Sequence, residues 1–354
     1  MNIPAAELKH TLKKLSPVRT ETYRFDGCGI MAQDSDALVI VDGPYSFVPF
    51  NVNGKKLAQV VNRMSGSISL DKEKGSSKLV IKSAKAVVEL EIQEVKPTLL
   101  PEPATHSLSL DLGPFKKALT TAAASANPAK SAIGGGVVLI QNLPLGLEET
   151  ESSGYRITGT DLIVMTVVTV KEPVGLQFRS LLNLTAAQVV QLMDGDKLEI
   201  GDTNKYLILK SGGTTVYASK PVQKYPDFDK LLAYPCSTKF SFKPEEWLSA
   251  LRTVEPLIDE AVDKGAVGLR FADGVVKCSS VGVGSTASDE ADYEQLDPDP
   301  IFDPKEISLR LTAKYLSGFL SKAGPEATFG ITENPIRLES GGVVVLTMPV
   351  KEKK

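Results

Sequence analysis

The chain has 354 residues, of which 42% are hydrophobic and 23% charged, and its formal net charge is −3. This length exceeds what one hydrophobic core usually serves and predicts two or three domains, while the composition excludes wholesale disorder. No apolar stretch is long enough to span a bilayer and the first residues lack the apolar core of a signal peptide, so we expect a cytoplasmic protein without membrane partners.

Cysteine and histidine are scarce in the sequence. The three cysteines, Cys28, Cys236 and Cys278, form no CxxC pair, which argues against a disulfide framework and a zinc site. The two histidines, His10 and His106, offer little material for a metal centre or for a Ser-His-Asp arrangement. We therefore expect no metal, no cofactor and no enzymatic activity.

The first third of the chain alternates helical and strand patterns. A helix is predicted within residues 4–15, and a second helix followed by paired strands within 51–95. Residues 96–107 carry three prolines and read as a linker. The sequence thus predicts one compact unit before this linker.

The same order recurs in the middle of the chain. A helix is predicted at 112–126, and residues 184–222 combine an amphipathic helix, stopped at Asp194 and Gly195, with three strand-like runs. The segment 221–238 reads as a second linker.

The last third repeats the order once more. The helix at 243–258 places Trp247, Leu248, Leu251 and Val254 on one apolar stripe. The segment 311–350 again combines a helix with strands, and its last strand is a β-branched run entered from Gly-Gly. Acidic residues gather at 148–153 and 288–300, which we interpret as loops.

These recurrences predict an α+β fold of three similar domains, each with two helices packed on antiparallel sheets. Their boundaries are predicted at 1–103, 108–232 and 237–354. The alternative is that any α+β protein alternates helices and strands without true repetition. The repeated order of elements, separated by about a third of the chain, favours repetition.

Four stretches resemble a known family in order and spacing. They are "FVPFNVNGKKLAQVVNRM" (47–64), "GTDLIVM" (159–165), "YPDFDKLL" (225–232) and "VVLTMPVK" (344–351), and they are similar to the bacterial sliding clamp, the β subunit of DNA polymerase III. The resemblance implies the DNA clamp fold, in which two chains close head to tail into a ring around duplex DNA. It implies a processivity factor that binds DNA without sequence preference and tethers DNA polymerase, with a clamp loader and a second copy of the chain as further partners.

The resemblance also implies a groove for short peptides from polymerases and loaders. Leucine, methionine and proline suit an apolar floor that accepts several partners. At each position the alternative is a core residue at a domain junction. The matched positions are Thr160, Met165, Pro226, Leu231, Leu346, Met348, Pro349 and Val350.

The sequence departs from the family within this groove. Leu162, Ile163 and Val164 stand where the family commonly has Gly-His-Arg, and Lys351 replaces a final arginine. We therefore expect a more apolar groove with a different ligand preference, as in a divergent or viral clamp that serves its own polymerase in the host cytoplasm.

A sliding ring should contact phosphates through mobile basic side chains and read no bases. Basic residues on the predicted helices fit this requirement, although lysines also serve simply to solvate helix faces. The residues expected to face DNA are Lys9, Lys13, Lys14, Lys55, Lys56, Arg63, Lys116, Lys117, Lys130, Arg252, Lys314 and Lys322.

Two other functions compete with a ring. An enzyme is disfavoured because "SAIGGGV" (131–137) lacks phosphate-loop spacing and "DPDPIFDP" (297–304) does not match a calcium loop. A clamp-like adaptor or structural protein that does not encircle DNA would keep the three domains without needing the helix lysines.

Overall fold

The structure is a computed structural model of the whole chain, and it combines short helices with antiparallel strands. Within the residues that it describes there are seven α-helices. The described residues are 1–27, 29–45, 47–72, 75–96, 99–104, 107–127, 136–143, 154–175, 178–222, 225–258, 265–282, 285–296, 307–332 and 335–350.

The first ten elements set a pattern in which each helix follows directly on a strand. Asn53 begins the second helix by accepting a hydrogen bond from the backbone N–H of Lys56 at 2.9 Å, a standard N-cap. The elements are β1 (Asn2–Pro4), α1 (Ala5–Leu15), β2 (Thr22–Phe25), β3 (Gly29–Gln33), β4 (Ala37–Asp42), β5 (Phe50–Asn53), α2 (Gly54–Asn62), β6 (Ser67–Asp71), β7 (Lys78–Ser83) and β8 (Ala86–Glu94).

The next ten elements repeat that pattern. Asn183 begins the second helix of this set as Asn53 does in the first, since its side chain accepts from the backbone N–H of Ala186 at 2.8 Å. The elements are β9 (Ser107–Asp111), α3 (Leu112–Ala123), β10 (Val137–Asn142), β11 (Tyr155–Thr160), β12 (Val164–Val170), β13 (Arg179–Asn183), α4 (Leu184–Leu192), β14 (Lys197–Asp202), β15 (Tyr206–Ser211) and β16 (Thr214–Ser219).

The third set adds a short helix and a two-residue strand to the same order. They are α5 (Asp229–Ala233), β17 (Thr238–Phe242), α6 (Pro244–Val254), β18 (Ala266–Ala272), β19 (Val275–Gly282), β20 (Ser285–Asp292), β21 (Glu294–Gln295), β22 (Ser308–Thr312), α7 (Ala313–Leu320), β23 (Ala327–Ile331), β24 (Ile336–Ser340) and β25 (Val343–Thr347). This threefold order supports the three-domain hypothesis. The boundaries at 1–103, 108–232 and 237–354 stay a prediction.

By compactness the chain divides into two units. The first unit comprises 1–123, 137–155 and 171–222, and the second comprises 124–136, 156–170 and 223–354. The first unit thus holds the whole of the first predicted domain and most of the second.

The first unit contains a sheet in the order β1-β6-β7-β8-β5-β2-β3-β4-β16-β15-β14-β9. Its pairings are antiparallel, including β4 with β16, which joins the first predicted domain to the second through five residue pairs. Two-residue hairpins need a left-handed backbone, and Gly212 and Gly213 supply it between β15 and β16 with φ values of +50° and +68°.

The helices of the first unit bury their apolar stripes. Leu8, Leu12 and Leu15 of α1 are buried, as are Leu57 and Val61 of α2. The same holds for α3 and α4, and α1 also contacts α4. Each fully buried aliphatic side chain contributes about 1.5–3 kcal/mol, so these stripes fix the helices to their surroundings.

The second unit contains the strand order β11-β12-β25-β24-β23-β17-β21 and a separate four-stranded sheet, β20-β19-β18-β22. Its core is aromatic: the Phe240 ring stacks on that of Phe271 with centroids 4.9 Å apart, and Phe242 stacks on Trp247 at 4.1 Å. The Trp247 indole N–H donates to the Asp292 carbonyl at 3.0 Å, which satisfies it in the core. The predicted apolar stripe of α6 is thereby confirmed, with Leu248 at its partly buried margin.

One expectation about the acidic segments was wrong. Residues 288–292 lie in β20 and 294–295 form β21, rather than a loop. β20 pairs with all eight residues of β19, and this pairing outweighs the low strand propensity of its aspartates. The acidic stretch 148–153 and the remainder, 297–300, lie outside the described residues.

Candidate peptide groove and basic surface

Strands β12 and β25 bring two of the predicted groove residues together. Met165 lies directly opposite Leu346 in the antiparallel register, so the two side chains share a face of the sheet. Both are buried, at 7% and 3% exposure. They therefore form the floor beneath a surface rather than the surface itself.

The turn that follows β11 is closed by its own side chains. The Thr160 hydroxyl donates to the Val164 carbonyl at 2.8 Å and accepts from the Leu162 N–H at 3.0 Å. Asp161 Oδ1 accepts from the N–H groups of Ile163 and Val164, both at 2.9 Å. Thr160, which the resemblance places in the groove, thus shapes the turn with its hydroxyl.

Asp161 is a buried carboxyl whose second oxygen is also used. Its Oδ2 accepts a hydrogen bond from the Tyr315 hydroxyl of α7. Burial first, and then this bond to the carboxylate, raise the pKa of Tyr315, so the phenol stays protonated as the donor. Asp161 lies in the matched stretch 159–165 but had no predicted role, and Tyr315 carried no sequence signal. Only the fold brings residues 161 and 315 together.

The segment before α5 is pinned against β11. The Tyr225 hydroxyl donates to the Thr158 carbonyl at 2.8 Å, and burial raises the pKa of this phenol. The Arg156 guanidinium pairs with Asp229 and lies 5.5 Å from the centroid of the Phe228 ring. These contacts hold the "YPDFDKLL" segment in place.

Helix α5 is also held from the sheet side. The Arg337 guanidinium of β24 donates to the Leu232 carbonyl at 2.7 Å. Arg337 lies opposite Leu346 in the register, so the face that carries Leu346 and Met165 is the face that reaches α5. Leu231, on α5, is 38% exposed, and Pro226 is half-buried.

The residues that follow β25 are the last of the predicted groove residues. The Met348 N–H donates to the Ile163 carbonyl at 3.0 Å, and the Val350 N–H donates to the Arg310 carbonyl at 2.7 Å. Met348 is 46% exposed, while Pro349 and Val350 are half-buried. The predicted groove residues thus lie on β11, on β12, in the 225–232 segment, on β25 and in the three residues that follow it, all within the second unit. Lys351 lies outside the described residues.

Three exposed apolar side chains adjoin these positions and lie outside the predicted set. Leu162 and Ile163 are 41% and 42% exposed, and Tyr234 is 48% exposed. Leu162 and Ile163 depart from the family pattern in sequence, whereas nothing in the sequence pointed to Tyr234.

A separate concavity in the second unit shares no residue with this groove. Its volume is about 790 Å³, and carboxylates including Glu246, Asp292, Glu294 and Glu326 contribute to its lining. Lys243, which also lines it, pairs with Glu246 at 3.1 Å. This surface is unsuited to a phosphate backbone.

Of the residues expected to face DNA, most are exposed side chains on or beside helices. Lys130 lies outside the described residues. The exposed ones are Lys13, Lys55, Lys56, Arg63, Lys117, Arg252, Lys314 and Lys322.

Three lysines of the set are instead engaged within the first unit. Lys14 is buried and its Nζ lies 2.6 Å from Asp194 Oδ2, which also accepts from His10 Nε2 at 2.7 Å. Lys116 Nζ donates to the Met193 carbonyl at the end of α4, and Lys9 Nζ donates to the Met64 carbonyl at 2.8 Å. Lys14 in particular is unavailable to a phosphate while this ion pair is intact.

The pKa values of Asp194 and of the nearby Lys116 both depart from their usual range. Lys14 first, and then His10, hold the pKa of Asp194 below its usual range, although burial acts in the opposite direction. Burial lowers the pKa of Lys116, with Lys14 adding to the effect and Asp194 opposing it.

The described residues contain neither a metal cluster nor a membrane-spanning helix. No group of three or more His, Cys, Asp or Glu side chains within them could hold a metal ion. No helix in this part of the chain is long and apolar enough to cross a membrane. Cys278 is buried, and burial raises the pKa of its thiol to about 12, which leaves it protonated.

Comparison with known proteins gives a likeness in structure alone. No protein-family model and no curated protein matches the sequence. Among solved structures, the DNA polymerase III β subunit of Thermotoga maritima superimposes with a TM-score of 0.84 at 14% identity, covering 99% of both chains.

The chain has the sliding-clamp fold. The Pseudomonas aeruginosa sliding clamp, DNA polymerase III subunit β, bound to griselimycin gives a TM-score of 0.82 at 14% identity, and the Helicobacter pylori β clamp bound to a DNA ligase peptide gives 0.78 at 14% identity. In each case 99% of this chain and 99% of the other are covered. The expected fold class is thereby confirmed, as is the resemblance to bacterial clamps at the level of structure.

Proposed function

We propose that the chain is a DNA polymerase processivity factor that encircles duplex DNA as a ring of two copies. The observation that carries this proposal is the match of the clamp fold over 99% of the chain. Three repeats in each chain would give six around a closed ring after one twofold operation. The exposed helix lysines support a role in contacting phosphates without reading bases.

Retention on circular DNA tests the ring. A closed ring should stay on nicked circular duplex DNA at a salt concentration that removes surface-bound protein, and it should be released when the same DNA is linearised. Equal release from both forms would contradict encirclement and favour the alternative, a clamp-like adaptor. A loader is expected to be needed, so the assay is run with and without the loader complex of the source cell.

The mass of the protein in solution tests whether two copies of the chain associate. We expect light scattering after size exclusion to give about twice the 37.9 kDa of one chain at micromolar concentration. A stable monomer would contradict a two-chain ring, whereas it would leave an adaptor role standing.

We further propose that the chain tethers its polymerase and other replication proteins through the groove of the second unit. The groove joins a buried floor, Met165 and Leu346, to exposed or half-buried apolar residues such as Leu231 and Met348. One or two ligand side chains buried there would each contribute about 1.5–3 kcal/mol. The clamp of Helicobacter pylori, which has the same fold, was solved with a DNA ligase peptide bound.

Binding of the polymerase to the Met348→Ser variant tests this part. Because Met348 is 46% exposed, its replacement should weaken binding without harming the fold. Unchanged polymerase affinity would remove the groove from the proposal. We expect such a complex to lie in the cytoplasm. We also expect the clamp itself to have no enzymatic activity.

A further inference from the structure

A small pocket opens on one face of the sheet in the first unit. Arg24 of β2 lies opposite Met31 of β3 and opposite Asn51 of β5 in the antiparallel register, so these three side chains form a row on the same face. Tyr23 points to the other face, where α2 packs, since a Cβ atom on Gly54 would lie 2.9 Å from the Tyr23 ring. The pocket along this row has a volume of about 250 Å³.

The apolar side chains of the pocket offer a ligand little surface. Met31 and Leu38 line it, but they are only 4% and 6% exposed because they pack with Ile40 and Tyr217 into a small cluster. Apolar stabilisation scales with the area that is newly removed from water, so side chains that are already covered add little on binding. Recognition in this pocket therefore depends on its polar groups.

Arg24 is the one charged residue among the described residues that line the pocket. Two contacts fix its guanidinium: Nη2 donates to the Lys96 carbonyl, and Nε lies 3.3 Å from Asp26 Oδ2. A guanidinium has five N–H donors, so most of them remain after these two contacts. The group is thus held in position and can still bind an acceptor.

Three neutral polar side chains accompany Arg24 in the lining. Thr22 supplies a hydroxyl, and Gln33 and Asn51 supply amides. Within the part of the chain that the structure describes, none of these three side chains is engaged in an intramolecular hydrogen bond. Each can therefore donate to a ligand atom or accept from one.

The size and charge of the pocket limit what can occupy it. A volume of about 250 Å³ is roughly eight times the ~30 Å³ that one water molecule takes up in the liquid, so the ligand has about eight non-hydrogen atoms at most. A single guanidinium beside Asp26 can balance one negative charge better than the two of a phosphate dianion. The planar fork of a guanidinium also matches the two oxygens of a carboxylate.

We propose that this pocket binds a small polar monocarboxylate, such as a short hydroxy acid, with its carboxylate on Arg24 and its other oxygens on the amides and the hydroxyl of the lining. A neutral ligand of the same shape would lack the charge-assisted bond to Arg24. Because α2 lies on the other face of the sheet, the pocket is separate from Lys55 and Lys56, which are expected to face DNA. It shares no residue with the predicted peptide groove, which lies in the second unit.

Binding of lactate to the full-length protein tests the proposal. Ligand-observed NMR titrations compare lactate with lactamide, which has the same number of non-hydrogen atoms and no charge. We expect lactate to bind with a dissociation constant on the order of 1 mM, and lactamide to bind about tenfold more weakly because it loses the bond to a charged group. Inorganic phosphate should also bind more weakly than lactate.

Substitutions in the lining locate the bound lactate. Asn51→Asp keeps the shape of the side chain and adds a negative charge, so it should weaken lactate binding by about tenfold or more. Arg24→Gln should have the same effect, and Asn51→Asp decides the question if Arg24→Gln does not fold. The matched control is Asn204→Asp, which adds the same charge in the exposed turn between β14 and β15 and should bind lactate like the wild type.

Three results would each overturn the proposal: no lactate binding by the wild type at about 20 mM, equal binding of lactamide or phosphate, and unchanged lactate binding by both lining variants. A protein side chain is the rival source of the carboxylate, and the peptide acetyl-Gly-Glu-Gly-amide represents it. If this peptide binds more tightly than lactate, the pocket receives an acidic partner segment and the proposal of a small free acid is overturned.

Discussion

Leu162 combines a left-handed backbone with a side chain that is more than half covered. Comparing two truncations separates these effects, because Leu162→Ala and Leu162→Gly both remove the side chain but only glycine relieves the φ of +76°. We expect the glycine variant to be more stable than the alanine variant by about 1 kcal/mol, the reverse of the usual order in regular structure. Urea unfolding of both variants measures the difference. An alanine variant at least as stable would show that the turn relaxes.

Asp194 accepts bonds from a buried lysine and a histidine on α1. Its pKa is lowered in the folded chain, so its ionised form contributes stability above the unfolded pKa of about 3.9, and this contribution disappears as the pH falls through the folded value. Because the Asp194 side chain is 54% exposed, we expect Asp194→Asn to cost only about 1 kcal/mol at pH 7 and nearly nothing in strong acid.

Denaturant unfolding of the Asp194→Asn variant at pH 7 and in acid measures this dependence. Asp111→Asn is the matched control, since Asp111 pairs at 2.7 Å with Lys197 and both side chains are more than half exposed. At pH 7 we expect Asp111→Asn to lower the free energy of unfolding by less than Asp194→Asn does. A cost for Asp194→Asn that is the same at both pH values would contradict the ionic origin.

Two neighbouring residues on α1 show why the exposure of a single side chain could not be predicted from the sequence. Lys13 is exposed and Lys14 is buried, although both were expected to face DNA. The sequence predicted this helix, and the structure buries Leu8, Leu12 and Leu15 along it. The burial of Lys14 depends on packing between α1 and α4, which are about 180 residues apart and meet only in the folded chain.

At the scale of elements, β25 divides its predicted groove residues into floor and surface. Leu346 is 3% exposed and lies opposite Met165, so we expect Leu346→Ala to cost about 2–5 kcal/mol of folding free energy. Met348, beyond the strand end, should tolerate alanine within about 0.5 kcal/mol. Thermal and chemical unfolding of the two variants test the contrast. Equal losses of folding free energy in the two variants would mean that Met348 is more buried than its exposed fraction of 46% indicates.

Most helices and hairpins could be predicted from the sequence, whereas the acidic strand β20 could not. α6 followed from its apolar stripe, β15 and β16 from strand-like runs, and β25 from a β-branched run entered from Gly-Gly. β20 reads Ser-Thr-Ala-Ser-Asp-Glu-Ala-Asp, with little apolar alternation, and is a strand because β19 pairs along its whole length. The predicted groove positions came from the resemblance and stay a prediction, whereas hydrogen bonds beside them, such as that from Tyr315 to Asp161, required the fold.

At the scale of the molecule, the proposed ring function predicts that binding to DNA would be the sum of many weak electrostatic interactions. Replacing Lys55, Lys56 and Lys117 by alanine should lower affinity for a short duplex and reduce the slope of log affinity against log salt by about one for each phosphate that the variant no longer neutralises. Fluorescence anisotropy over a salt series measures the slope. The control replaces Lys78, Lys82 and Lys197, which are ion-paired on strands, and should leave the slope nearly unchanged. Equal slopes for both triple variants would contradict the assignment of the helix lysines to DNA.

The pairing of β4 with β16 limits how this chain can be cut into pieces for study. A fragment that stops at residue 103 would lack β16, and the row of backbone donors and acceptors along Ala37–Asp42 would be left uncovered. The buried ammonium of Lys14 would be without Asp194 in the same fragment. Such a truncation is expected to precipitate or to associate edge to edge, whereas a fragment that ends after Val222 would keep both features intact.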